Sequence, residues 1–506
     1  MTATRAAAAR PLSPSAHAHS AQEQHAMQPS AKRQRTRAHS PRKRTAATLP
    51  YATGMHLAPM VRIGTLPTRL IALEYGAELV WGPEIVDKAI IGAERKVDPR
   101  TGVVSFCKNG RSIFDCHPLE KQRLVFQLGS ASPELAVQAV KVIENDVAGV
   151  GLNCGCPKSF SLQGGMGAAL LKEPEKLCSI LSALVQATDL PVDAKIRLLP
   201  LPSKPAAATL ATPVATPPAS TADATQQPTP SAILEPTIPP TLTVPATSST
   251  FDPAAVTTAA AAAATTASGD SSSTESPAGE RGPSDSAADD DEPTLGLVAR
   301  ILDTGIANLT VHCRTQEMRS REPALHERMR GISELGHRKG IPVVCNGDAV
   351  GGGKEAGWGN FDQVCAKTGV SSVMIARAAE ANPSCFSRTG LADPISQVIP
   401  RLLRVGIVTQ NHYNNTKYIL NAMSLTDSPT PPSREVNREY KQKMNKAKSY
   451  GDMAEVFGIS RDEVTALANE ADTKTLEELL PAWTSRRNEI LACEEERASS
   501  PALATD

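Results

Sequence analysis

The chain has 506 residues and a formal net charge of zero, with 53 basic and 53 acidic side chains, enough for two or three domains at roughly 100 to 200 residues each. No run approaches the roughly 18 consecutive apolar residues of a membrane span, and the N-terminus lacks the apolar centre of a secretory signal. A membrane protein is thereby excluded and a soluble, intracellular one expected, in keeping with ten scattered cysteines, several inside apolar runs such as Val344-Cys345, that fit free thiols in a reducing compartment.

The zero charge hides a segregation. Residues 1–50 carry Arg5, Arg10, Lys32, Arg33, Arg35, Arg37, Arg42, Lys43 and Arg44 against the single acid Glu23. A basic, Ser/Ala-rich segment of this kind buries almost no apolar surface, so a disordered tail that attracts polyanions is expected. Its two compact clusters suit a nuclear address or an RNA-binding arm. Arg- and Ser-rich, acid-poor leaders also serve as mitochondrial transit peptides, but the lack of amphipathic spacing favours nucleus or cytoplasm.

From residue 51 to 383, short β-rich runs recur at 55–60, 78–81, 123–128, 150–153, 192–198, 308–312, 342–346 and 372–376. Between them the spacing predicts helices, for example over 133–146 with Leu135, Val137, Val140 and Ile143, and over 174–188 with Leu177, Ile180, Leu181 and Leu184. Pro133 and Pro174 suit first-turn positions. Eight repeats of mostly continuous apolar strands predict an α/β protein with a parallel, closed (β/α)8 TIM barrel. An open doubly wound sheet would need a glycine-rich turn after an early strand, where this chain has Ala58-Pro59-Met60. Residues 202–293, rich in Ala, Thr, Pro and Ser with Phe251 as the one aromatic, cannot build a core and are expected as a low-complexity insertion in the barrel. Beyond it, residues 384–470 read as a C-terminal α-helical domain and 471–506 as a C-terminal tail.

Chemistry in such a barrel sits at the C-terminal ends of the strands. Polar residues gather there: Gln127 on the third run, Asn153 with Cys154 and Cys156 on the fourth, Lys195 and Arg197 on the fifth, His312 and Arg314 on the sixth, Asn346-Gly347-Asp348 on the seventh and Ala376-Arg377 on the eighth. Lys195, Gln127 and Asn153 can hydrogen-bond the polar edge of a flat heterocycle, while glycine and arginine after the last two strands match a common phosphate site. FMN and a nucleotide both satisfy that pattern. Metal is not expected, because Cys154 and Cys156 with the remote Cys107, Cys116 and His117 fit no common zinc spacing. Gly351-Gly352-Gly353-Lys354 lacks the spacing and the Ser or Thr of a phosphate loop.

Asn153-Cys154-Gly155-Cys156-Pro157, followed by residues 163–170 as Gln-Gly-Gly-Met-Gly-Ala-Ala-Leu, resembles the signature of the tRNA-dihydrouridine synthase family. Ala58-Pro59-Met60, Phe126-Gln127-Leu128-Gly129, Ala194-Lys195-Ile196-Arg197, Val311-His312, Asn346-Gly347-Asp348 and Ala376-Arg377-Ala378 are similar to it in the same order, so the likeness covers the whole barrel. Residues 60–67 and 411–418 resemble the eukaryotic type-two branch, which acts on the uridine at tRNA position 20 in the D-loop.

The resemblance implies a flavoprotein oxidoreductase of tRNA processing: NADPH reduces FMN, and hydride then passes to carbon 6 of an extruded uridine while a cysteine protonates carbon 5. Cys156 matches the proton donor. Pro59, Met60, Gln127, Lys195, His312, Asn346, Gly347, Ala376 and Arg377 match flavin-contacting positions, and Asn153 matches the asparagine beside flavin and uracil. A base stacked in RNA cannot reach a barrel mouth without leaving the stack, and a thiol of ordinary pKa about 8.5 is protonated enough at neutral pH to act as an acid. Cys313 departs from the glycine that often follows the histidine. Nothing after Phe457 resembles the double-stranded-RNA-binding domain of animal relatives, so tRNA contacts are expected from Arg314 and its neighbours Arg319, Arg321, Arg328 and Arg330, the helical domain and the basic tail. The rival readings are another FMN barrel acting on a small molecule and a non-catalytic tRNA-binding barrel.

Overall fold

The computed structural model describes residues 49–202, 292–349 and 358–499. The expected basic tail, save Leu49 and Pro50, nearly all of the low-complexity insertion and the Gly351–Lys354 run lie outside the described residues.

Eight runs of Val, Ile, Leu, Ala and Gly form parallel strands: β1 (Gly54–Leu57), β2 (Val80–Trp81), β3 (Leu124–Gly129), β4 (Gly149–Cys154), β5 (Val192–Arg197), β6 (Asn308–His312), β7 (Val343–Asn346) and β8 (Ser372–Ile375). Each pairs in parallel with the next, and β8 pairs with β1, so the sheet closes. All six residues of β3 and all six of β4 are buried, as strands covered on both faces must be. The expected (β/α)8 barrel is therefore the observed one, with strand bounds agreeing to within a few residues.

The second helix read from spacing buries the expected face, whereas the first turns Ala136 and Ala139 inward with Val140 and Ile143 and leaves the expected Leu135 and Val137 only half-buried. Pro133–Ile143 starts at Ser132, whose hydroxyl accepts from the Leu135 N–H, and buries Ala136, Ala139, Val140 and Ile143. Pro174–Ala187 buries Leu177, Ile180, Leu181 and Leu184, each contributing about 1.5–3 kcal/mol. Inside the barrel, Tyr51, Trp81, Val125, Val344 and Met374 form a separate packed cluster. Asp193 lies fully buried beside it, accepting from Trp81 Nε1 at 3.2 Å; a side chain on Gly151 would come within 2.7 Å of that carboxylate. Burial pushes the Asp193 carboxyl up to about 8.

Two features differ from the sequence expectation. Glu94–Val97, Val104–Lys108 and Arg111–Cys116 form a small antiparallel sheet between β2 and β3. Its hairpin turns on Asn109 and Gly110, both with positive φ (52° and 73°), as an Asn-Gly turn requires. Residues 471–506, expected as a tail, carry helices Thr473–Leu479 and Pro481–Ser499. Upstream, the helical region contains Ile399–Val408, Tyr413–Ala422, Arg434–Lys446, Tyr450–Val456 and Arg461–Asn469. Pro400 stands in the first turn of the first of these helices, where its missing N–H has no helical partner to lose. No described helix is long and apolar enough to cross a membrane.

Candidate active site

Strand register gathers the polar ends. Asn153 of β4 is paired with Lys195 of β5, Arg197 of β5 with His312 of β6, and His312 with Asn346 of β7. These side chains surround a cavity of about 320 Å³ at the C-terminal mouth of the barrel, within the size of small-ligand sites. Pro59, Gln127, Asn153, Cys156, Lys195, His312, Arg314, Asn346, Gly347, Ala376 and Arg377 all line it. Met60 stands outside that wall and packs against the hydrophobic core, while its neighbours Pro59 and Val61 face the cavity.

The two thiols of the Cys-Gly-Cys motif part company. Cys154 ends β4 fully buried, its Sγ 3.7 Å from the Leu152 carbonyl, and burial pushes its thiol far above the ordinary range. Cys156 lies beyond the strand, half-buried at the cavity wall. Asn153 sets that turn: its Oδ1 accepts from the N–H groups of Gly155 at 3.0 Å and Cys156 at 3.2 Å. Arg197 braces the loop, donating to the Gly155 carbonyl and the Thr315 carbonyl, both at 2.9 Å.

Lys195 lines the cavity and has no hydrogen bond or ion pair to another described residue. Burial, and then the charge of Arg197, brings its ammonium down to about 8. Burial, reinforced by Lys195, Arg197, Arg314 and Arg377, lowers His312 to about 2, so its imidazole is neutral. The far wall is cationic. Arg314, 2% exposed, donates to the Glu322 carbonyl at 2.7 Å and pairs with Asp348, which also pairs with Arg377. Burial works to raise Asp348, but the Arg314 hydrogen bond and the charges of both arginines hold it below the usual carboxylate range. Gly347, at φ 98°, lies so close to this wall that a side chain there would meet His312 at 2.7 Å and Arg314 at 3.2 Å.

A lysine without a partner, a neutral imidazole, an amide at Gln127 and a bare glycine between histidine and arginine form a donor set for a flat, polar-edged ligand carrying an anionic group. Two of the arginines expected to meet RNA, Arg314 and Arg328, turn inward, while Arg330 stays exposed on the surface. Arg314 is committed to the cavity wall, Arg328 holds Glu292 and the Leu199 carbonyl, and Arg330 donates to the Ala366 carbonyl at 2.5 Å. Sequence reasoning missed Glu84, whose carboxyl lines the cavity beside Cys156. It also gave no role to Asp348. Behind Gly347, Cys313 and Cys345 bring their sulfurs to 3.5 Å, and His326 Nε2 lies 2.7 Å from the Gly347 carbonyl; all three are buried.

The dihydrouridine synthase (Dus) family matches residues 56–214 and 285–474, passing over the middle of the low-complexity segment. The chain belongs to this family. It is 36% identical over 422 residues to the tRNA-dihydrouridine(20) synthase, NAD(P)+, of Schizosaccharomyces pombe, covering 81% of this chain and 66% of that protein. The corresponding protein of Saccharomyces cerevisiae is 31% identical over 390 residues, covering 73% of this chain and 77% of its own length. A tRNA-dihydrouridine(20a/20b) synthase of Schizosaccharomyces pombe is 32% identical over 127 residues, covering 25% of this chain and 34% of that protein. The family match thus takes in every cavity residue named above and runs on through the C-terminal helices to residue 474.

Proposed function

We propose that this protein is a tRNA-dihydrouridine synthase that reduces the 5,6 double bond of the D-loop uridine at position 20, with NADPH as hydride donor and FMN as cofactor. The observation that carries the reading is an open thiol and a partnerless lysine on adjacent strands of one cavity, under a cationic rim, in a chain of this family.

The residues present fit FMN. Gln127 and Lys195 would hold the polar edge of the ring system, Pro59, Asn346 and Ala376 its sides, and the cradle at Gly347 with His312 and Arg377 the phosphate. The neutral imidazole donates or accepts without adding charge. When bound, FMN supplies hydride transfer between NADPH and the uracil. Asn153 fixes the loop that carries Cys156, and Cys156 holds the proton that goes to carbon 5. Extrusion of the uridine brings the base to this loop, and the cationic rim draws the flanking phosphates.

The test compares two cysteine variants on a flavin-loaded protein. Cys156→Ala retains flavin and its reduction by NADPH but loses dihydrouridine formation by about 10²- to 10⁴-fold, the usual contribution of a positioned acid. Cys154→Ala, altered in a buried thiol with no access to the cavity, keeps making dihydrouridine. Mass spectrometry of position-20 fragments from tRNA lacking dihydrouridine reads the product. Reversal of the two phenotypes, or reduction of free uridine in preference to tRNA, overturns the reading.

A further inference from the structure

We propose that Cys313, His326 and Cys345 bind a zinc ion behind the cationic wall of the cavity, and that the ion pins the chain after β6 to β7.

These are not the cysteines whose spacing speaks against zinc, Cys154 and Cys156, and the positions 313, 326 and 345 match no common zinc motif either. The fold brings them together. Side chains alternate between the two faces of a strand. His312 and Asn346 line the cavity, so their chain neighbours Cys313 and Cys345 turn to the opposite face and join the core outside the barrel. Cys345 is paired with Val311 in the register of β6 and β7, and the Cys313 N–H donates to the Asn346 carbonyl at 2.9 Å, which sets the two sulfurs 3.5 Å apart. His326 is carried in by the chain beyond β6, which folds back so that the Leu325 N–H donates to the Cys313 carbonyl at 2.7 Å. One ligand atom from each of the three residues lies within 4.8 Å of the others. Among the described residues, no other group of three His, Cys, Asp or Glu side chains gathers so closely.

The donor set and its geometry suit zinc. A tetrahedral ion with Zn–S bonds of about 2.3 Å holds two sulfurs about 3.8 Å apart, so the pair here has to part only slightly to admit one. His326 is oriented as metal-binding histidines are. Its Nε2 lies 2.7 Å from the Gly347 carbonyl. A carbonyl only accepts, so Nε2 carries the hydrogen and Nδ1 the lone pair that binds a metal. Two thiolates and an imidazole select a soft ion, while calcium and magnesium need oxygen ligands that this set lacks. The two thiolate charges cancel the double charge of zinc, so the bound group brings no net charge into a core where both cysteines are fully buried and His326 is 9% exposed. On binding, the two thiols give their protons to solvent, two Zn–S bonds and one Zn–N bond form, and a water completes the tetrahedron.

The proposed reaction does not call on these residues. Cys313 stands where a glycine often follows the histidine, so the cluster is not a requirement of the barrel. What the ion adds is a tie. It joins β7 to the Cys313–His326 segment, which carries Arg314, beside Gly347 and the Asp348 carboxylate that Arg314 engages.

The experiment uses full-length protein made with zinc in the medium and purified without chelators. Beside it stand Cys313→Gly, His326→Ala and a control, Cys493→Ser, which removes an exposed thiol. Metal content is read by inductively coupled plasma mass spectrometry. Zinc is also replaced by cobalt, whose d–d absorption under tetrahedral thiolate ligation lies to the red of the flavin bands. Wild type and Cys493→Ser should hold about one zinc per chain, and Cys313→Gly and His326→Ala about tenfold less or lower. Cobalt-loaded wild type should show intense d–d bands that Cys313→Gly lacks. Excess chelator should lower the thermal unfolding midpoint of wild type and leave that of Cys313→Gly unchanged, because an ion that binds only the folded chain stabilises it. A wild-type protein with neither zinc nor cobalt bands overturns the proposal. Zinc retained by both Cys313→Gly and His326→Ala also overturns it, since the metal then lies elsewhere. If either variant fails to fold, the cobalt spectra of wild type and Cys493→Ser decide. None of these readouts needs dihydrouridine formation, so failure of the functional reading leaves the test of the zinc site standing.

Discussion

Lys195 shows how one side chain can be both legible in a sequence and incomplete without a structure. A lysine inside an apolar strand announces a function, because a buried ammonium without a partner is costly. The sequence places Arg197 two residues along on the same strand face; what it could not give is how far Lys195 is buried and the Asp193 carboxyl buried one layer below. Burial and Arg197 together lower Lys195 to about 8, so the positive charge is present at neutral pH and lost as pH rises through that value. An anionic ligand must then take up a proton on binding above it. FMN affinity in the wild-type protein is therefore expected to fall as pH rises beyond about 8. Lys195→Ala lowers affinity at pH 7 by about 10- to 100-fold, the effect of one hydrogen bond to a charged group, and removes most of this pH dependence. Flavin fluorescence titration from pH 6 to 10 measures both, and an affinity in Lys195→Ala equal to wild type removes Lys195 from the cofactor site. The residues at strand ends could be read because each strand presents its last inward side chain to the mouth. Glu84 could not, since it sits on a turn after a strand of only two residues, Val80–Trp81, and no periodicity reaches it.

Elements were legible where burial imposes a pattern and obscure where it does not. The barrel strands are covered on both faces and read as apolar runs. Glu94–Val97 has all four residues exposed, so no apolar run marks it; the Asn109-Gly110 pair was the available signal for the hairpin beside it. The low-complexity segment is the clearest case of an element boundary that the structure sharpens. Its two ends are stitched together: the Leu199 N–H donates to Thr294 Oγ1 at 3.1 Å, and Arg328 binds both the Leu199 carbonyl at 2.8 Å and Glu292. Glu292 in turn caps helix Pro293–Leu302 by accepting from the Thr294 N–H at 3.0 Å. Strand β5 and this helix are thus held in place by contacts that do not involve residues 203–291. Closing a loop costs free energy only logarithmically in its length, so a short Gly/Ser linker in place of 203–291 is expected to leave folding, flavin content and dihydrouridine formation intact. Soluble yellow protein with product at the wild-type rate meets the expectation; a colourless or insoluble deletion shows that the segment supports the barrel.

Across the whole molecule, the closed barrel and its active mouth followed from strand count and strand-end chemistry, while the C-terminal end of the chain did not. Its last helix is polar over most of its length, and a polar helix offers no apolar stripe from which to infer a partner. The partner is the barrel itself. Trp483 is fully buried, its backbone N–H donating to Glu74 Oε2 at 2.9 Å and its indole N–H to the Leu119 carbonyl at 2.8 Å. Glu74 closes the first barrel helix, Leu66–Glu74, and also pairs with Arg401 of the helical region at 3.2 Å. One carboxylate therefore ties the end of the chain to both other parts of the fold, and Arg486 adds a pair to Glu78 at 2.6 Å just before β2 begins. All of these contacts lie toward the N-terminal ends of the strands, away from the cavity. Trp483→Ala should consequently cost about 3–5 kcal/mol of stability, the range for deleting a buried aromatic, with the Leu119 carbonyl left without its donor as part of that loss. Flavin content and the pH profile of dihydrouridine formation should stay at wild-type values under native conditions, because nothing at the mouth is touched. Urea unfolding of the two proteins, followed by flavin release and by far-ultraviolet circular dichroism, measures the difference. Equal unfolding midpoints would mean that the last helix is an appendage; a lower midpoint with unchanged flavin binding would establish it as the clamp on the closed end of the barrel.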